Sequence, residues 1–391
     1  MESTETLMIP PKRFEFVKFK SKLQAFTMVL ALLVIWFTFG AKTHGAFLQA
    51  RNLSNLLRQM SVTGIMSVGM VLVIVAGQID LSVGSVVCFL GSLAAVMNTN
   101  LGYSPTTTAI VTVLAGLVIG ATQGYLLAYQ RIPAFIVTLG GMMAFRGASM
   151  WVTSNSTVPL QENWILSLGT TYLSANLGWI LSVGSIALVW WQLLRSRKAS
   201  IAYGLEPASI SSILFQGLSV SVLVLGFMTV LGSYEGIPTP VLVMVGLMLV
   251  GHFMATRTTW GRHIFAIGGN KQAAFVSGIP VPFRIMSIFV LMGILSAIGG
   301  MILTARVGSA SPDAGQLLEL DAIASCVIGG TSLTGGKGSI LGAILGALVM
   351  ESLNNGMSMA NIEPFWQYIV KGLVLVAAVW MDMLSQPKAT R

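Results

Sequence analysis

Residues 257–284, RTTWGRHIFAIGGNKQAAFVSGIPVPFR, form a polar segment between two apolar runs that are each long enough to cross a lipid bilayer. Within this segment Asn270 is placed to cap a helix over 271–277, because Gly278 can end that helix and the prolines that follow prevent its continuation. The predicted helix carries small residues and one aromatic side chain, Phe275, a pattern that is typical of a knob fitting a partner's groove. The polar segment is therefore predicted to be the place where a membrane protein meets a partner in the cytoplasm.

The composition of the whole chain predicts an all-α integral membrane protein folded as a polytopic helical bundle. Apolar residues make up 54% of its 391 residues, charged residues make up 9%, and the mean hydropathy is +0.81. With roughly 20 residues per crossing, we predict about twelve membrane spans. They lie near 24–41, 55–77, 82–98, 107–129, 134–152, 177–194, 212–232, 238–255, 283–304, 318–334, 339–355 and 364–384. The tenth and eleventh are short and rich in glycine, which leaves open that either span is broken or re-entrant.

The positions of Lys and Arg predict the orientation of these spans. Most of them fall on one side, namely Lys12, Arg13, Lys18, Lys20, Lys22, Arg131, Arg195, Arg197, Lys198, Arg257, Arg262, Lys271, Arg284, Lys337, Lys388 and Arg391. The opposite side carries Lys42, Arg51, Arg58 and Arg306. The positive-inside rule then places both termini and the polar segment in the cytoplasm. It also explains the +9 net charge without nucleic acid, since the cations are spread over loops.

The same assignment divides the chain into three parts. A cytoplasmic N-terminal segment covers 1–23, one transmembrane domain covers 24–385 with the polar segment inside it, and a cytoplasmic tail covers 386–391. The first apolar run is too long for a secretory signal and is predicted to remain as a membrane helix.

No pattern in the sequence predicts an enzyme. The glycine-rich stretch 329–339 fails as a phosphate loop, because Thr331 stands at the first required glycine and Gly338 stands at the required hydroxyl. The three histidines have no ligand spacing, and both cysteines lie in predicted spans, where packing is the simpler role. If ATP drives this protein, another chain must hydrolyse it.

Ionisable side chains at predicted membrane depth are candidates for function, because a charge there is costly unless it is paired or faces water. Asp321 and Glu351 either lie at headgroup level or belong to a pathway or its gate. Arg146 and Lys371 can snorkel or pair with a carboxylate. Asp80 either favours a helix N-terminus or anchors a gate.

Neutral polar side chains beside aromatic rings suit a sugar ligand. Asn354 and Asn355 close one predicted span and Trp366 opens the next, all near the predicted periplasmic face, where an interfacial aromatic belt is the alternative interpretation. Gln78 and Thr138 are weaker candidates for lining a route through the membrane.

Two turns in the sequence are similar to one another. Residues 76–85 and 329–339 both follow an apolar run and end in Gly-Ser before the next one, at predicted cytoplasmic turns. Duplicated halves are common in transporters and place the substrate route between them, although a shared turn can also arise by chance.

At this point several stretches resemble one protein family. Residues 258–279 resemble the coupling loop of the ribose-type permeases of ATP-binding-cassette sugar importers, and 79–85, 133–140 and 319–324 resemble the same family in the same order. Together the matches cover most of 50–385. Within the family the xylose-type members are the most similar, on 50–59, on 355–372, and on an extra pair of spans near 177–232 added to a ten-span core.

The resemblance implies a mechanism and partners. Two copies of the permease would form a homodimer around one pathway, with a sugar-binding protein at the periplasmic face and lipid around it. Two cytoplasmic ATPase subunits, which hold ATP and Mg while this chain binds no cofactor, would dock on 271–277. The residues implied in ATPase coupling are Arg262, Asn270, Gln272, Ala273, Ala274, Phe275 and Gly278. Those assigned to the substrate pathway or gate are Gln78, Asp80, Thr138, Asp321, Asn354, Asn355 and Trp366.

Two departures from the family pattern and three alternatives remain open. Gln78 stands where xylose-type members carry Glu, and Gln272 stands where the family pattern has an acid. An ion-coupled secondary transporter would use Asp80 or Glu351 for its ion. A related permease would carry another pentose or hexose, a branched-chain amino acid or an autoinducer sugar. A membrane protein with a purely structural role would leave the polar segment unexplained.

Overall fold

The computed structural model describes residues 12–207 and 209–385, with side chains for 27–207 and 209–383, so that the predicted tail 386–391 and the first eleven residues of the predicted N-terminal segment lie outside the described residues. The described chain is a bundle of helices with two short β-ladders. Its helices are α1 (Lys12–Lys42), α2 (Ala50–Val75), α3 (Val83–Ala95), α4 (Pro105–Ala128), α5 (Ala134–Val152), α6 (Trp164–Thr170), α7 (Ala175–Ala202), α8 (Ile210–Gly232), α9 (Thr239–Arg257), α10 (Thr259–Gly269), α11 (Lys271–Val276), α12 (Val281–Val307), α13 (Leu318–Ile328), α14 (Ile340–Met359) and α15 (Pro364–Ser385). A π-helical turn, Val96–Asn100, continues α3.

Within the described residues, ten helices are long and apolar enough to cross a membrane. They coincide with ten of the twelve predicted spans. The span predicted at 24–41 lies within the 31-residue helix α1, whose side chains are described from Thr27 onward. For the span predicted at 318–334, the structure has the 11-residue α13, whereas the neighbouring α14 is an unbroken helix of 20 residues. Of the two glycine-rich spans, the tenth is therefore the short one.

Helix α2 lies at the centre of the bundle. From Met60 to Val75 all its side chains are buried, and α9, α12, α13 and α14 pack around it. A helix that is apolar on every face is expected to be enclosed on every side, and the sequence of α2 approaches that character over 60–75. Small polar residues such as Ser67 are tolerated there because their hydroxyls bond to the carbonyl four residues earlier.

Glycines bring the long helix α12 into backbone contact with α4. A Cβ atom on Gly293 would overlap the carbonyl oxygen of Gly116, and one on Gly120 would overlap that of Phe289. Such contacts are typical of membrane bundles, in which helices associate by close packing because lipid is as apolar as their side chains. The α4–α12 pair is therefore fixed by shape at the backbone level.

The predicted extra pair of spans forms a peripheral unit. Helices α7 and α8 pack on each other through Gly217 against the ring of Trp190, and most of their other side chains are exposed. Strands β2 (Tyr172–Leu173) and β3 (Ile237–Pro238) pair antiparallel where the chain leaves and rejoins the bundle. At another loop, β1 (Val158–Pro159) pairs with β4 (Ser309–Ala310).

We expect Gly293→Val to destabilise the bundle, because its branched side chain would meet backbone atoms of α4 that cannot rotate away. Overpacking of this kind costs about 1–3 kcal/mol or more. The unfolding temperature of the purified protein in detergent should fall. Gly246→Val is the matched control, since Gly246 also lies within a long helix but has open space around it. Equal unfolding temperatures for the two variants would contradict the backbone contact.

Candidate functional site

The short helix α11 is built as the sequence predicts, one residue shorter at its end. The side chain of Asn270 accepts a hydrogen bond from the backbone N–H of Ala273 at 2.9 Å. At the other end Gly278 takes a left-handed conformation with φ 81°, and the N–H of Ile279 bonds to the carbonyl of Ala274. Phe275 is 63% exposed, so the helix presents an apolar knob that nothing in the described chain covers.

Helix α10 fixes α11 to the bundle. Its apolar residues Ile264 and Ile267 are buried. The indole N–H of Trp260 donates to Ser287 of α12 at 2.8 Å. Arg284 of the same helix donates to His263 at 3.2 Å. Helix α10 is therefore held along one face by the bundle, and α11 follows it after Asn270.

The end of α10 touches the end of the central helix through backbone atoms. A Cβ on Gly268 would overlap the carbonyl oxygen of Val75, and the N–H of Gly336 donates to that carbonyl at 2.9 Å. The end of α2, just before the turn 76–85, and the turn 329–339 therefore meet the polar segment at one point. No side chain larger than hydrogen fits at Gly268, which explains why glycines cluster there.

A cleft of about 710 Å³ lies beside α11. Its walls include Gln78, Asn270, Gln272 and Phe275, together with Arg131 from the turn between α4 and α5. The structure thus brings Gln78, assigned to the pathway from the sequence, next to three residues assigned to coupling. Of the other predicted coupling residues, Arg262 and Ala273 are exposed and Ala274 is buried.

Asp80 lies close to this end of the bundle and supports the start of α3. Its carboxylate accepts hydrogen bonds from the backbone N–H and the hydroxyl of Ser82, and Gln123 donates to the same hydroxyl at 2.9 Å. Burial raises the pKa of the Asp80 carboxyl above its ordinary value, and the bonds from Ser82 oppose that rise. Thr138 is buried nearby, with its hydroxyl donating to the carbonyls of Ala134 and Ile79. These contacts fit the structural interpretation of Asp80.

A second polar cluster lies deeper in the bundle, between α2, α13, α14 and α15. The ammonium group of Lys371 pairs with Asp321 at 3.0 Å. The amide of Asn354 donates to Asp321 at 3.3 Å and to Glu351 at 3.5 Å, and Thr63 of α2 donates to Glu351. Thr63 lies twelve positions before Val75 in α2, which is about 18 Å along the helix axis. Asp321 and Glu351 are therefore held inside the bundle and not at its surface.

The cluster forms because α13 begins inside the bundle, after a series of turns. Residues 311–317 form turns, and Leu317 takes a left-handed conformation with φ 62°. Arg146 holds these turns by donating to the carbonyls of Pro312 and Ala314 at 2.8 and 3.0 Å. Helix α13 therefore starts within the bundle, and its first turn presents Glu319 and Asp321 there. Broken helices of this kind form substrate sites in other transporters.

Three buried acceptor atoms in this part of the bundle have no hydrogen-bond donor among the described residues. They are Oε2 of Glu319, Oδ1 of Asp321 and Oδ1 of Asn354. A buried acceptor without a donor is costly, so such atoms identify a place that a ligand donor can satisfy. Hydroxyl groups are donors of the required kind.

The remaining two predicted pathway residues lie apart from this cluster. Asn355 faces away from Asn354 because neighbouring residues on a helix point in different directions, and it bonds to Asn52 and Gln59. Trp366 is 52% exposed and packs against Phe365.

The sequence did not point to Thr63 as part of the cluster. Its hydroxyl lies in an apolar run, which gives no signal of a partner 288 residues away.

Among the described residues there is no group of three or more His, Cys, Asp or Glu side chains that could hold a metal ion.

Comparison with known proteins relates this geometry to a family. A family model described as the branched-chain amino acid transport system permease component matches residues 52–379. The xylose transport system permease protein XylH of Escherichia coli is 46% identical over 388 residues, which cover 99% of this chain and 98% of that protein. XylH of Haemophilus influenzae is 46% identical, over 95% of this chain and 99% of that protein.

A more distant relative is similar over the same length. The ribose import permease protein RbsC of Bacillus subtilis is 34% identical, over 97% of this chain and 98% of that protein. No solved structure matches the chain. The family match over most of the chain, the near full-length relatives and the ten apolar helices together identify a multi-pass inner-membrane permease, and the chain belongs to the family of branched-chain amino acid transport system permease components.

Proposed function

We propose that this chain is the membrane-spanning subunit of an ATP-binding-cassette importer that carries a monosaccharide, D-xylose, across the inner membrane, with ATP hydrolysed by a separate subunit. The observation that carries the proposal is the backbone contact between Gly268, three residues before the exposed helix α11, and Val75 at the end of the buried helix α2. The sugar is proposed from the relatives named for xylose transport, which match nearly the whole chain at 46% identity.

The end of the bundle that carries α11 would transmit movements of the ATPase to the membrane helices. An ATPase subunit docked on α11 would hold Phe275 in a groove, with Gln272, Ala273 and Ala274 in the same helix and Asn270 and Gly278 fixing its two ends. Arg262, exposed on α10, would extend the docking face. A movement of α11 would pass through the backbone contact at Gly268 to α2. Because packed interfaces switch between discrete arrangements, a small displacement there can change which side of the bundle is open.

The deeper cluster is the proposed sugar site on the pathway. Asp321 and Asn354 each keep an acceptor without a donor, and sugar hydroxyls would supply the missing hydrogen bonds. Lys371 would hold Asp321 in place from α15. Trp366 lies on the same helix as Lys371, and Asn355 would hold α14 against α2 through Asn52 and Gln59. Gln78, Asp80 and Thr138 would line or support the opposite, cytoplasmic end of the route.

The assembly that we propose has two copies of this chain around one pathway, two ATPase subunits that hold ATP and Mg, and a periplasmic sugar-binding protein. Each copy would have twelve spans, with α1 and the α13 region added to the ten long helices and both termini in the cytoplasm. The segment 1–23 and the tail 386–391 would then lie in the cytoplasm on either side of the transmembrane domain 24–385. The peripheral pair α7–α8 would be the addition to a ten-span core.

An ion-coupled secondary transporter is the second candidate, because buried carboxylates such as Glu351 could handle an ion. Uptake of radiolabelled xylose in cells separates the two. An ATP-driven importer keeps its uptake with a protonophore and loses it when ATP is depleted, and a secondary transporter behaves in the opposite way. Competition by ribose, arabinose and galactose tests which sugar is carried. Displacement of xylose by another sugar would leave the proposed importer mechanism in place but change its proposed substrate.

We expect Phe275→Asp to abolish ATP-dependent xylose uptake while the permease still reaches the membrane. A carboxylate cannot enter an apolar groove without losing its hydration, so the ATPase should no longer dock. The measurement is uptake in whole cells together with the amount of permease in the membrane fraction. Tyr203→Asp is the matched control, because Tyr203 is 81% exposed in the loop between α7 and α8, away from α11. Normal uptake by Phe275→Asp would remove the docking assignment.

We expect Lys371→Met to lower the stability of the permease by about 3 kcal/mol, because Asp321 would remain buried without its counter-charge. The double variant Asp321→Leu with Lys371→Met should recover most of that stability, since no charge is left unpaired. Thermal unfolding of the purified variants measures both effects.

Uptake by the same double variant tests the sugar site separately from the stability. We expect uptake to stay low after stability has recovered, because the Asp321 carboxylate that would accept hydrogen bonds from the sugar hydroxyls is gone. Wild-type uptake by the double variant would show that Asp321 has a structural role only.

A further inference from the structure

The cleft beside α11 carries charge of one sign. Among the described residues that line it, Arg131 and Lys271 are cationic, and no carboxylate is present. Both cationic residues are exposed, while the floor is apolar, with Leu127, Val281 and Ile285 buried in the bundle. The cleft therefore has a cationic rim over an apolar floor, and it suits an anionic group on a partly apolar support.

The backbone at Arg131 places its side chain at the rim. Arg131 takes a left-handed conformation with φ 57° at the turn that ends α4, and Ile132 then bonds back to the carbonyl of Leu126. That conformation is unfavourable for a non-glycine residue. Arg131 comes from the α4–α5 turn and Lys271 from α11, so the two cations reach the cleft from separate elements.

We infer that this cleft receives an acidic side chain of the ATPase subunit, an interaction that rests on the importer function proposed above. Gln272 and Phe275 line the cleft and also belong to the exposed face of α11, so a subunit seated on that face would reach the mouth of the cleft. Complementary charge then favours a carboxylate between Arg131 and Lys271. Gln272 is neutral and does not compete for the two cations.

The interface is therefore reciprocal. The permease inserts Phe275 into the ATPase, and the ATPase inserts an acidic side chain into the permease. The walls of the cleft come from α11, from the start of α12 and from the α4–α5 turn. The second contact thus connects the ATPase to α4 and α12, which are packed together at the backbone, in addition to α2.

The test is a binding titration of the separately purified cognate ATPase subunit onto the full-length permease in nanodiscs of a neutral phospholipid, at low and at high salt. We expect the double variant Arg131→Glu with Lys271→Glu to bind about tenfold more weakly than the wild type at low salt, and the difference to shrink at high salt. Lys198→Glu is the matched control, since Lys198 is an exposed lysine on α7, outside both the cleft and the polar segment. It should bind like the wild type.

The outcomes separate the possible occupants. If the double variant binds the ATPase with wild-type affinity and wild-type salt dependence, the inference is overturned. A second arm uses nanodiscs with an anionic phospholipid. In this arm the wild type could retain the anionic lipid while the double variant loses it, with ATPase binding unchanged. That result would assign the cleft to a lipid headgroup and would also overturn the inference. If Phe275→Asp leaves ATPase binding intact, the proposed docking on α11 fails as a whole. Wild-type binding by the double variant, with binding lost in Phe275→Asp, would overturn only the role of the cleft.

Discussion

The backbone contact at the end of α2 is the constraint on which the rest of the structure depends. The carbonyl of Val75 accepts the N–H of Gly336 and lies against Gly268, so three distant segments meet with no side chain between them. Within a bilayer a helix end must find hydrogen-bond partners inside the protein. Here the turn 329–339 supplies that partner, and the polar segment packs on the same atoms. The polar segment that carries α11 therefore packs backbone against backbone on the end of the central helix.

The second constraint is the cost of charge inside the bundle. Asp321 is buried with Lys371 as its ion-pair partner, and Glu351 is held by Thr63 and Asn354. Carboxylates at such depth are tolerated only when other groups compensate them. The break before α13 brings these groups together, because an unbroken helix would pass this level without presenting its first turn. The same break leaves acceptors without donors, so compensation and ligand binding come from one feature of the backbone.

Several elements could be predicted from local chemistry. Asn270 and Gly278 define the two ends of α11 because caps act within a few residues, and the structure has that helix within one residue of the prediction. The ten long helices follow from apolar runs for the same reason. The sequence predicted that Lys371 can pair with a carboxylate but not that its partner is Asp321, because the pair joins residues 50 positions apart through the packing of α13 on α15. Gln78 was assigned to the pathway from its type, whereas its neighbours in space are coupling residues.

The sequence by itself determined that this is a helical membrane protein with one exposed, capped helix in a polar segment, because hydropathy and capping are properties of neighbouring residues. The tertiary structure alone decided which polar residues act together. It separated Asn354 from Asn355, since adjacent helical positions face different neighbours, and it joined Gln78 and Arg131 to α11 in one cleft. It also selected α13 as the short helix, because only packing fixes where a glycine-rich run stops being helical.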